Sequence, residues 1–344
     1  MACGAGNAFS FAPESSEPRR SERSGRARVT VEPIMRFGAV EQAAPLRAGG
    51  RPPTIGLASV IVPHLDDYEN LDACLTLLQE QSFPSERTEI IVADNGSSRG
   101  LQAVRRIVGT RGRVVEVTER GAAPARNAGF RASHGEAIAF IDSDCRPDRR
   151  WLEEGLAELR LADFAGGRVD VLVQDPERMT AAEAFETVFA FQNERYVRHL
   201  NFTLTASMFV WRSVFDAVGG FENGVPEDLD WCRRARLKGY RIRFASKSVV
   251  GHPARRTMPE LRRKWRRLTL EWCEAARRDG KGPIFVLLRQ WTVLLSIGPH
   301  ALVAMASKRL SGTRNRIMAI GALAQIRAYR FVIAHRALLR SLEE

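Results

Sequence analysis

The sequence has few cysteines and no segment typical of a secreted protein. Its five cysteines are an odd number, lie far apart and include no CxxC pair. This spacing argues against a disulfide framework or a zinc site and favours a reducing compartment. The N-terminal stretch has no continuous apolar run of the kind that a secretory signal needs, and no uninterrupted run of 18 apolar residues occurs. We therefore expect a cytoplasmic chain that touches a membrane at most peripherally or through a partly embedded segment.

The sequence also lacks the glycine-rich loops with which many nucleotide-binding proteins hold phosphate. It contains no GxxxxGK[ST] motif, and no GxGxxG follows the first predicted strand. A nucleotide site in this chain would have to neutralise its phosphates with a metal ion and arginine.

Charge is distributed unevenly along the chain. The 344 residues include 52 Lys+Arg and 40 Asp+Glu, a formal net charge of +12. Residues 251–344 hold 19 basic and 6 acidic residues, whereas the first 250 hold 33 and 34. A cationic C-terminal region attached to a near-neutral body is expected to bind phosphate groups, either in nucleic acid or in anionic lipid.

Three regions follow from composition and periodicity. Residues 1–53 are rich in Gly, Ala, Pro, Ser and Arg without periodicity, which predicts disorder. Residues 54–254 form the predicted folded domain, and 255–344 a basic, helical C-terminal region. Within the folded domain, β-branched runs alternate with amphipathic stretches. The runs at 58–63, 89–93, 113–117 and 137–141 predict strands, and those at 70–81, 101–108 and 123–132 predict helices. This alternation predicts an α/β fold with a doubly wound, mostly parallel sheet.

Acidic side chains follow three of the predicted strands. Asp66 comes just after the first, Asp94 ends the second, and Asp142 and Asp144 follow the fourth. Ligands of such sheets bind beyond the C-terminal ends of the strands, so these carboxylates should share one site. Asp142 and Asp144 are two residues apart and can face the same way in an extended chain. The pair suits Mg²⁺ or Mn²⁺, although a solvated turn at the strand end remains the alternative.

Six motifs in order resemble those of the family 2 nucleotide-sugar glycosyltransferases, which have the GT-A fold. The resemblance covers about 55–270, roughly 60% of the chain. The matching stretches are ASVIVPHLDD, IIVADNGS, GAAPARNAGF, AFIDSD, the long segment 205–240 and VVGHPARRTMPELRRKWRR. The sequence departs from the family pattern in the first loop, which reads His-Leu-Asp where Thr-Tyr-Asn is commoner, and at Ser207, which replaces a frequent asparagine.

The resemblance implies roles for individual residues. Asp142 and Asp144 correspond to the family's metal-binding pair, and Asp142 would also contact the nucleotide-sugar. The resemblance further implies that His252 is a third metal ligand. The remaining implied contacts to the nucleotide-sugar donor are those of Pro63, Asp66, Asp94, Arg126 and Asn127. Asp94 would accept a hydrogen bond from the base, and Arg126 would meet phosphate or a sugar hydroxyl. A lone histidine such as His252 is more often a bystander than a ligand.

The resemblance also assigns the general base to Asp228, at the start of a predicted helix. Acids in a first helical turn are ordinary, and the helix dipole lowers a carboxylate's pKa and so weakens it as a base. Burial against substrate would offset that effect, and Glu227 and Asp230 are the other choices. The implied reaction is metal-dependent, inverting transfer from a nucleotide-sugar to a hydroxyl of a saccharide or lipid-linked saccharide acceptor.

The C-terminal region combines arginines with apolar stripes. Basic residues between 255 and 267 are interleaved with Leu and Trp, a pattern suited to an anionic membrane surface or to packing on the catalytic domain. The apolar stretch 284–306 is interrupted by Gly298-Pro299, which favours a surface or re-entrant helical hairpin over a single span. Residues 317–339 predict another arginine-rich helix. These features place the chain at the cytoplasmic face of the inner membrane.

Two other functions compete with glycosyl transfer. A nucleic-acid-binding protein would explain the pI near 10.2 and the Arg-Trp interleaving. However, no zinc-finger, RRM or KH signature is present, and carboxylates at one edge would repel phosphates without metal, so we expect no nucleic-acid partner. A nucleotidyltransferase on a related sheet usually carries a Gly-rich, basic first loop, which this sequence does not have.

Overall fold

A computed structural model gives the fold and describes residues 54–343, with side chains described through residue 339. The predicted disordered segment 1–53 lies outside the described residues. Eight described strands form one mixed sheet in the order β3-β2-β1-β4-β7-β6-β8-β5. The strands are β1 Ala58–His64, β2 Thr88–Asp94, β3 Arg113–Glu116, β4 Ala137–Phe140, β5 Arg146–Pro147, β6 Phe164–Leu172, β7 Met208–Trp211 and β8 Ile242–Pro253.

Helices cover both faces of this sheet and continue beyond it. In the described chain they are α1 Tyr68–Gln79, α2 Leu101–Val108, α3 Ala122–Ala132, α4 Trp151–Leu159, α5 Ala181–Phe189, α6 Asn193–Arg195, α7 Arg212–Val218, α8 Glu227–Leu237, α9 Met258–Arg278, α10 Pro283–Leu295, α11 Ile297–Ala306 and α12 Gly312–Glu343. A π-helical turn at Tyr196–Leu200 follows α6.

The parallel half of the sheet, β3-β2-β1-β4, confirms the predicted α/β fold. β1 pairs in parallel with β2 on one side and β4 on the other, and β3 extends the sheet beyond β2. Val60, Ile61 and Val62 have no exposed surface, as expected of a strand covered on both faces. Since the strands run in one direction, their C-terminal ends meet at one edge.

The other half of the sheet mixes directions. β7 is antiparallel to both β4 and β6, whereas β8 runs parallel to β6. The two-residue strand β5 pairs antiparallel with β8 and places Arg146 opposite Gly251. Because β5 begins two residues after Asp144, this pairing brings the end of β8 beside the turn that follows β4.

The C-terminal helices pack on the sheet-bearing domain through α5. One buried cluster joins α5, α9 and α12, and a second joins α5 with α11 and α12. The stretches Pro283–Ala306 and Gly312–Leu339 are each long and apolar enough to cross a membrane, by length and composition alone.

The break in the first of these stretches falls at Ser296, two residues before the predicted Gly298-Pro299. A continuous helix would press the Pro299 ring against the carbonyl of Leu295 and leave that carbonyl without a donor. Ending α10 at Leu295 instead places Pro299 in the first turn of α11, where no backbone N–H is needed. The two helices thus follow one another with a short interruption.

Candidate active site

The turn after β4 holds the two carboxylates that the sequence singled out. The side chains of Asp142 and Asp144 are 28% and 31% exposed, so both reach solvent from a largely buried turn. The β5–β8 pairing sets His252 against this turn, and its Nε2 lies 3.5 Å from Oδ1 of Asp144. The His252 Nδ1 lies 2.9 Å from the carbonyl oxygen of Pro253. Because a carbonyl oxygen only accepts hydrogen bonds, Nδ1 is the donor in this contact, and Nε2 is the nitrogen that faces Asp144.

Ligand atoms from four residues come together here. Oxygens of Asp142 and Asp144, the Cys145 sulfur and a His252 nitrogen lie within 4.8 Å of one another. The carboxylates and the imidazole are donors that suit a divalent cation. Burial raises the pKa of the Cys145 thiol well above its usual value, which makes its sulfur the poorest ligand of the set. Sequence reasoning did not identify Cys145, because nothing in its spacing marks it.

Arg126, on α3, contacts acidic residues from two separate segments of the site. Its guanidinium donates to Oδ1 of Asp142 at 2.6 Å and to Oε1 of Glu227 at 2.7 Å. The Arg126 side chain is 5% exposed, so this double ion pair is largely shielded from water. The contact fixes the start of α8 beside the carboxylates after β4. A contact between Arg126 and phosphate stays a prediction.

Asp228 lies in the first turn of α8, next to Glu227. Burial, reinforced by the negative charge of Glu227, raises the pKa of Asp228 to about 7. This outweighs the backbone N–H of Leu229, which donates to Oδ1 of Asp228 at 2.8 Å. A carboxyl with this pKa can both accept and release a proton near neutral pH.

The neighbouring acids are engaged in ion pairs. Glu227 is bound to Arg126, and Asp230 accepts from Nε of Arg234 at 2.8 Å, one turn further along α8. Among the three acids that begin α8, Asp228 is therefore the one without a basic hydrogen-bond partner. This distinction favours Asp228 over Glu227 and Asp230 as the base.

Asp94, at the end of β2, is almost completely buried. One carboxylate oxygen lies 3.0 Å from Nδ1 of His64, and both oxygens accept hydrogen bonds from Ser97. The His64 side chain has no exposed surface, and its Nε2 has no partner among the described atoms. His64 is the last residue of β1, at a position where the family more often has threonine, and its pairing with Asp94 was not predicted. The expected hydrogen bond from a nucleotide base to Asp94 stays a prediction.

The end of β1 presents Pro63, and the loop that follows presents Asp66. Pro63 is half-buried at the end of β1, and Asp66 is exposed with a backbone φ of 56°. The Asp66 carboxylate accepts from the backbone N–H and hydroxyl of Ser98 at 2.6 and 2.8 Å, which lowers its pKa. This binds the first loop to the loop after β2.

Asn127 makes a different contact from the one expected. Its side-chain amide donates to the carbonyl oxygen of Phe221 and accepts from the Phe221 N–H, each at 2.8 Å. A side chain on Gly220 would collide with this amide, at 2.7 Å from its oxygen. Asn127 therefore anchors the glycine loop that leads to α8, and its contact with a nucleotide-sugar stays a prediction.

Known proteins resemble the chain in sequence and in structure. The model of the family "Glycosyl transferase family 2" matches residues 59–219. Glycosyltransferase AglE of Haloferax volcanii is 33% identical over 210 residues, which cover 59% of this chain and 68% of that protein. A pre-mycofactocin glycosyltransferase of Mycobacterium tuberculosis is 30% identical over 144 residues, 40% of this chain and 31% of the relative.

A solved structure shares the fold. The mannosyltransferase PcManGT from Pyrobaculum calidifontis, determined with GDP-Man and Mn²⁺, superposes with a TM-score of 0.55 at 22% identity. The superposition covers 86% of this chain and 90% of that one. The shared mixed sheet shows the GT-A fold, and the family model and sequence relatives show that the chain is a glycosyltransferase. This chain belongs to glycosyl transferase family 2.

Proposed function

We propose that this glycosyltransferase is metal-dependent and inverting, and that it moves a sugar from a nucleotide-diphospho-sugar to a hydroxyl of a saccharide acceptor. The Arg126 double ion pair carries the proposal, because it holds Asp142 and the start of α8 at one site. A metal-binding pair and a proton acceptor are thereby assembled at the C-terminal edge of the sheet. The sequence motifs and the fold shared with PcManGT, which was solved with GDP-Man and Mn²⁺, support a nucleotide-sugar donor.

The residues after β4 fit Mn²⁺ or Mg²⁺. Asp142 and Asp144 supply oxygen ligands, and His252 supplies a nitrogen whose ring is fixed by the Pro253 carbonyl. A bound divalent cation would neutralise charge on the diphosphate of the leaving nucleotide. Arg126, with its charge already shared between two carboxylates, would contribute to the same electrostatic field.

Asp228 carries the proton chemistry in this proposal. Its pKa of about 7 allows the carboxylate to take the proton of the acceptor hydroxyl as that oxygen attacks the anomeric carbon. Attack from the side opposite the leaving nucleoside diphosphate inverts the configuration. Arg126 binds Glu227 and lowers the nucleophilicity of its carboxylate, which favours direct displacement over a covalent intermediate.

The acceptor is proposed to be lipid-linked and the enzyme to work at an anionic membrane surface on the cytoplasmic side. The cationic balance of 251–344 and the exposed apolar side chains of α10 support this location. We further propose that the catalytic domain ends near residue 254 and that α9–α12 form the membrane-facing region.

Thermal-shift screening of the full chain tests the donor. UDP-, GDP- and dTDP-sugars are added with Mn²⁺, with Mg²⁺ and with EDTA, since a ligand that binds the folded state raises the melting temperature. The expected result is stabilisation by one donor class that requires the metal, followed by transfer or hydrolysis with that donor and an inverted product anomer by NMR. Failure of every nucleotide-sugar to stabilise the protein or to react would contradict the proposal.

A further inference from the structure

Phe191 lies outside every motif that the sequence analysis used, yet it contacts the metal-ligand set. It lies just before α6, and its ring stacks on the imidazole of His252 with centroids 4.3 Å apart and planes at 30°. His252 is the one nitrogen donor among the four clustered ligand residues. The stacking therefore constrains the His252 imidazole, and the orientation of this ring determines the direction of Nε2.

The backbone of Phe191 adopts a conformation that a phenylalanine rarely takes. Its φ is 51°, in the left-handed region, and among the described non-glycine residues only Asp66 and Asn201 share a positive φ. A bulky residue in this region is strained and persists only where its surroundings hold it. Such strain is concentrated at functional sites, and here it accompanies direct contact with His252.

A buried ionic cluster holds the Phe191 ring from another side. Nζ of Lys264, on α9, lies 4.8 Å from the ring centroid and 2.6 Å from Oε1 of Glu186, on α5. Glu186 is completely buried and also binds the backbone N–H and the guanidinium of Arg255, three residues after His252. Although burial opposes ionisation, the charges of Lys264 and Arg255 lower the pKa of Glu186. Glu186 thereby links α5, the end of β8 and α9 around the stacked rings.

We propose that Phe191 is a positioning residue that holds the His252 imidazole with Nε2 directed at the divalent cation. The inference rests on the proposed metal site. The Pro253 carbonyl holds Nδ1 and leaves Nε2 facing Asp144, and the Phe191 ring packs against the plane of the imidazole. Groups that orient a metal-binding histidine typically change metal affinity by about 10–100-fold when they are removed.

The test measures metal binding to the full chain by calorimetry, without donor or acceptor. Phe191→Leu removes the stacked ring and keeps apolar volume, with Phe191→Met as a second variant should the first fail to fold. Phe191→Tyr keeps the ring. Phe189→Leu is the matched control, since Phe189 contacts Phe185 and His300 and not His252. Melting temperatures in EDTA confirm that each variant is folded.

We expect Phe191→Leu to weaken Mn²⁺ binding about tenfold, with Phe191→Tyr and Phe189→Leu close to the parent. Co²⁺ should lose more affinity than Mg²⁺, because Co²⁺ gains more from a nitrogen ligand. Equal losses for all three ions would indicate general loosening and overturn the inference.

Two further outcomes separate this inference from the proposed function. If His252→Ala weakens Mn²⁺ binding and Phe191→Leu does not, the positioning role is wrong and the metal site stands. If His252→Ala binds Mn²⁺ as the parent does, His252 is not a ligand and the inference fails with it. Asp144→Asn then tests the carboxylate part of the proposed function separately.

Discussion

The two halves of the sheet contribute different parts of one active site. The parallel half, β3-β2-β1-β4, ends in Asp94, Asp142 and Asp144, and consecutive segments of the chain build it. The mixed half supplies His252 from the end of β8 and adjoins α8, which carries Asp228. The first half thus holds the residues proposed for the donor and the two carboxylates proposed for the metal, and the second half adds the histidine ligand and the residue proposed for proton transfer.

This difference shows how an active site can depend on one long-range contact. Asp142 and Glu227 are far apart in sequence and come from separate elements, yet both bind the same guanidinium. Substitutions on either half should therefore give distinct defects, and a substitution at Arg126 should affect both.

The largest effect is expected in the parallel half, from Asp144→Asn. The change removes one negative charge and one oxygen ligand from the proposed metal site. A metal that stabilises the leaving group contributes several kcal/mol to transition-state stabilisation, so turnover should fall about a thousandfold. Mn²⁺-dependent thermal stabilisation should disappear with it. A variant that keeps both its turnover and its Mn²⁺ affinity would refute a metal site at this turn.

In the mixed half, Asp228→Asn should abolish proton transfer and leave donor binding intact. Loss of the general base should lower kcat about a hundredfold. Thermal stabilisation by Mn²⁺ and donor should persist, in contrast to Asp144→Asn. Asp230→Asn is the control on the same helix, because that carboxylate pairs with Arg234. If Asp230→Asn is inactive and Asp228→Asn active, the base has been assigned to the wrong residue.

Arg126→Met tests the link between the halves. Removing the guanidinium leaves Asp142 and Glu227 as neighbouring unpaired carboxylates, which should destabilise the fold by about 3 kcal/mol. Chemical denaturation measures this loss. Arg168→Met is the control, because its ion pair with Asp170 is exposed and worth about 1 kcal/mol or less. Equal, small losses for the two variants would show that Arg126 does not hold the site together.

Sequence alone predicted the parallel half well. Helix α2 was predicted at its observed limits, and the predicted strands and helices through β4 match observed elements with small shifts at their ends. These segments alternate locally, so periodicity suffices to find them. The resemblance to known glycosyltransferases added Asp228 and His252, which periodicity could not link to the carboxylates.

Features that depend on distant segments were not predicted. Phe191 carries no motif, and its contact with His252 follows from how α5, β8 and α9 pack. The His64–Asp94 contact likewise depends on neighbouring strands ending in register, His64 opposite Asp94. The pKa of Asp228 was uncertain from sequence because the helix dipole and burial act in opposite directions, and their balance requires coordinates.

The raised pKa of Asp228 predicts a dependence on pH in both activity and stability. The carboxylate must be deprotonated to act as a base, so kcat/KM should rise about tenfold per pH unit below 7 and level off above it. The folded state binds this proton more tightly than the unfolded chain, whose carboxyl has a pKa near 3.8. The wild type therefore loses stability from this group as pH rises from about 4 to 7.

The side chain introduced by Asp228→Asn cannot ionise, so this variant should not lose stability in this way as the pH rises. Its melting temperature should exceed that of the wild type by an increment that grows between pH 5 and 7 and is constant at higher pH. Differential scanning fluorimetry across this range measures the increment. An increment independent of pH would mean that burial does not raise the pKa of Asp228.

The smallest effect on chemistry is expected from the C-terminal helices. Ile284, Leu288, Trp291 and Leu295 recur at helical spacing along α10 and are 72, 62, 49 and 72% exposed. If this face meets the membrane, Leu288→Glu with Trp291→Glu should weaken binding to anionic vesicles at least tenfold, since each buried side chain contributes about 1.5–3 kcal/mol.

Donor hydrolysis in solution should be unchanged in that double variant, because α10 contributes none of the residues proposed for catalysis. Leu161→Glu is the matched control, as Leu161 is an exposed leucine beyond α4. Sedimentation with phosphatidylglycerol vesicles, at low and high salt, separates the apolar contribution from the electrostatic one. Undiminished sedimentation of the double variant would exclude this face of α10 as the membrane contact.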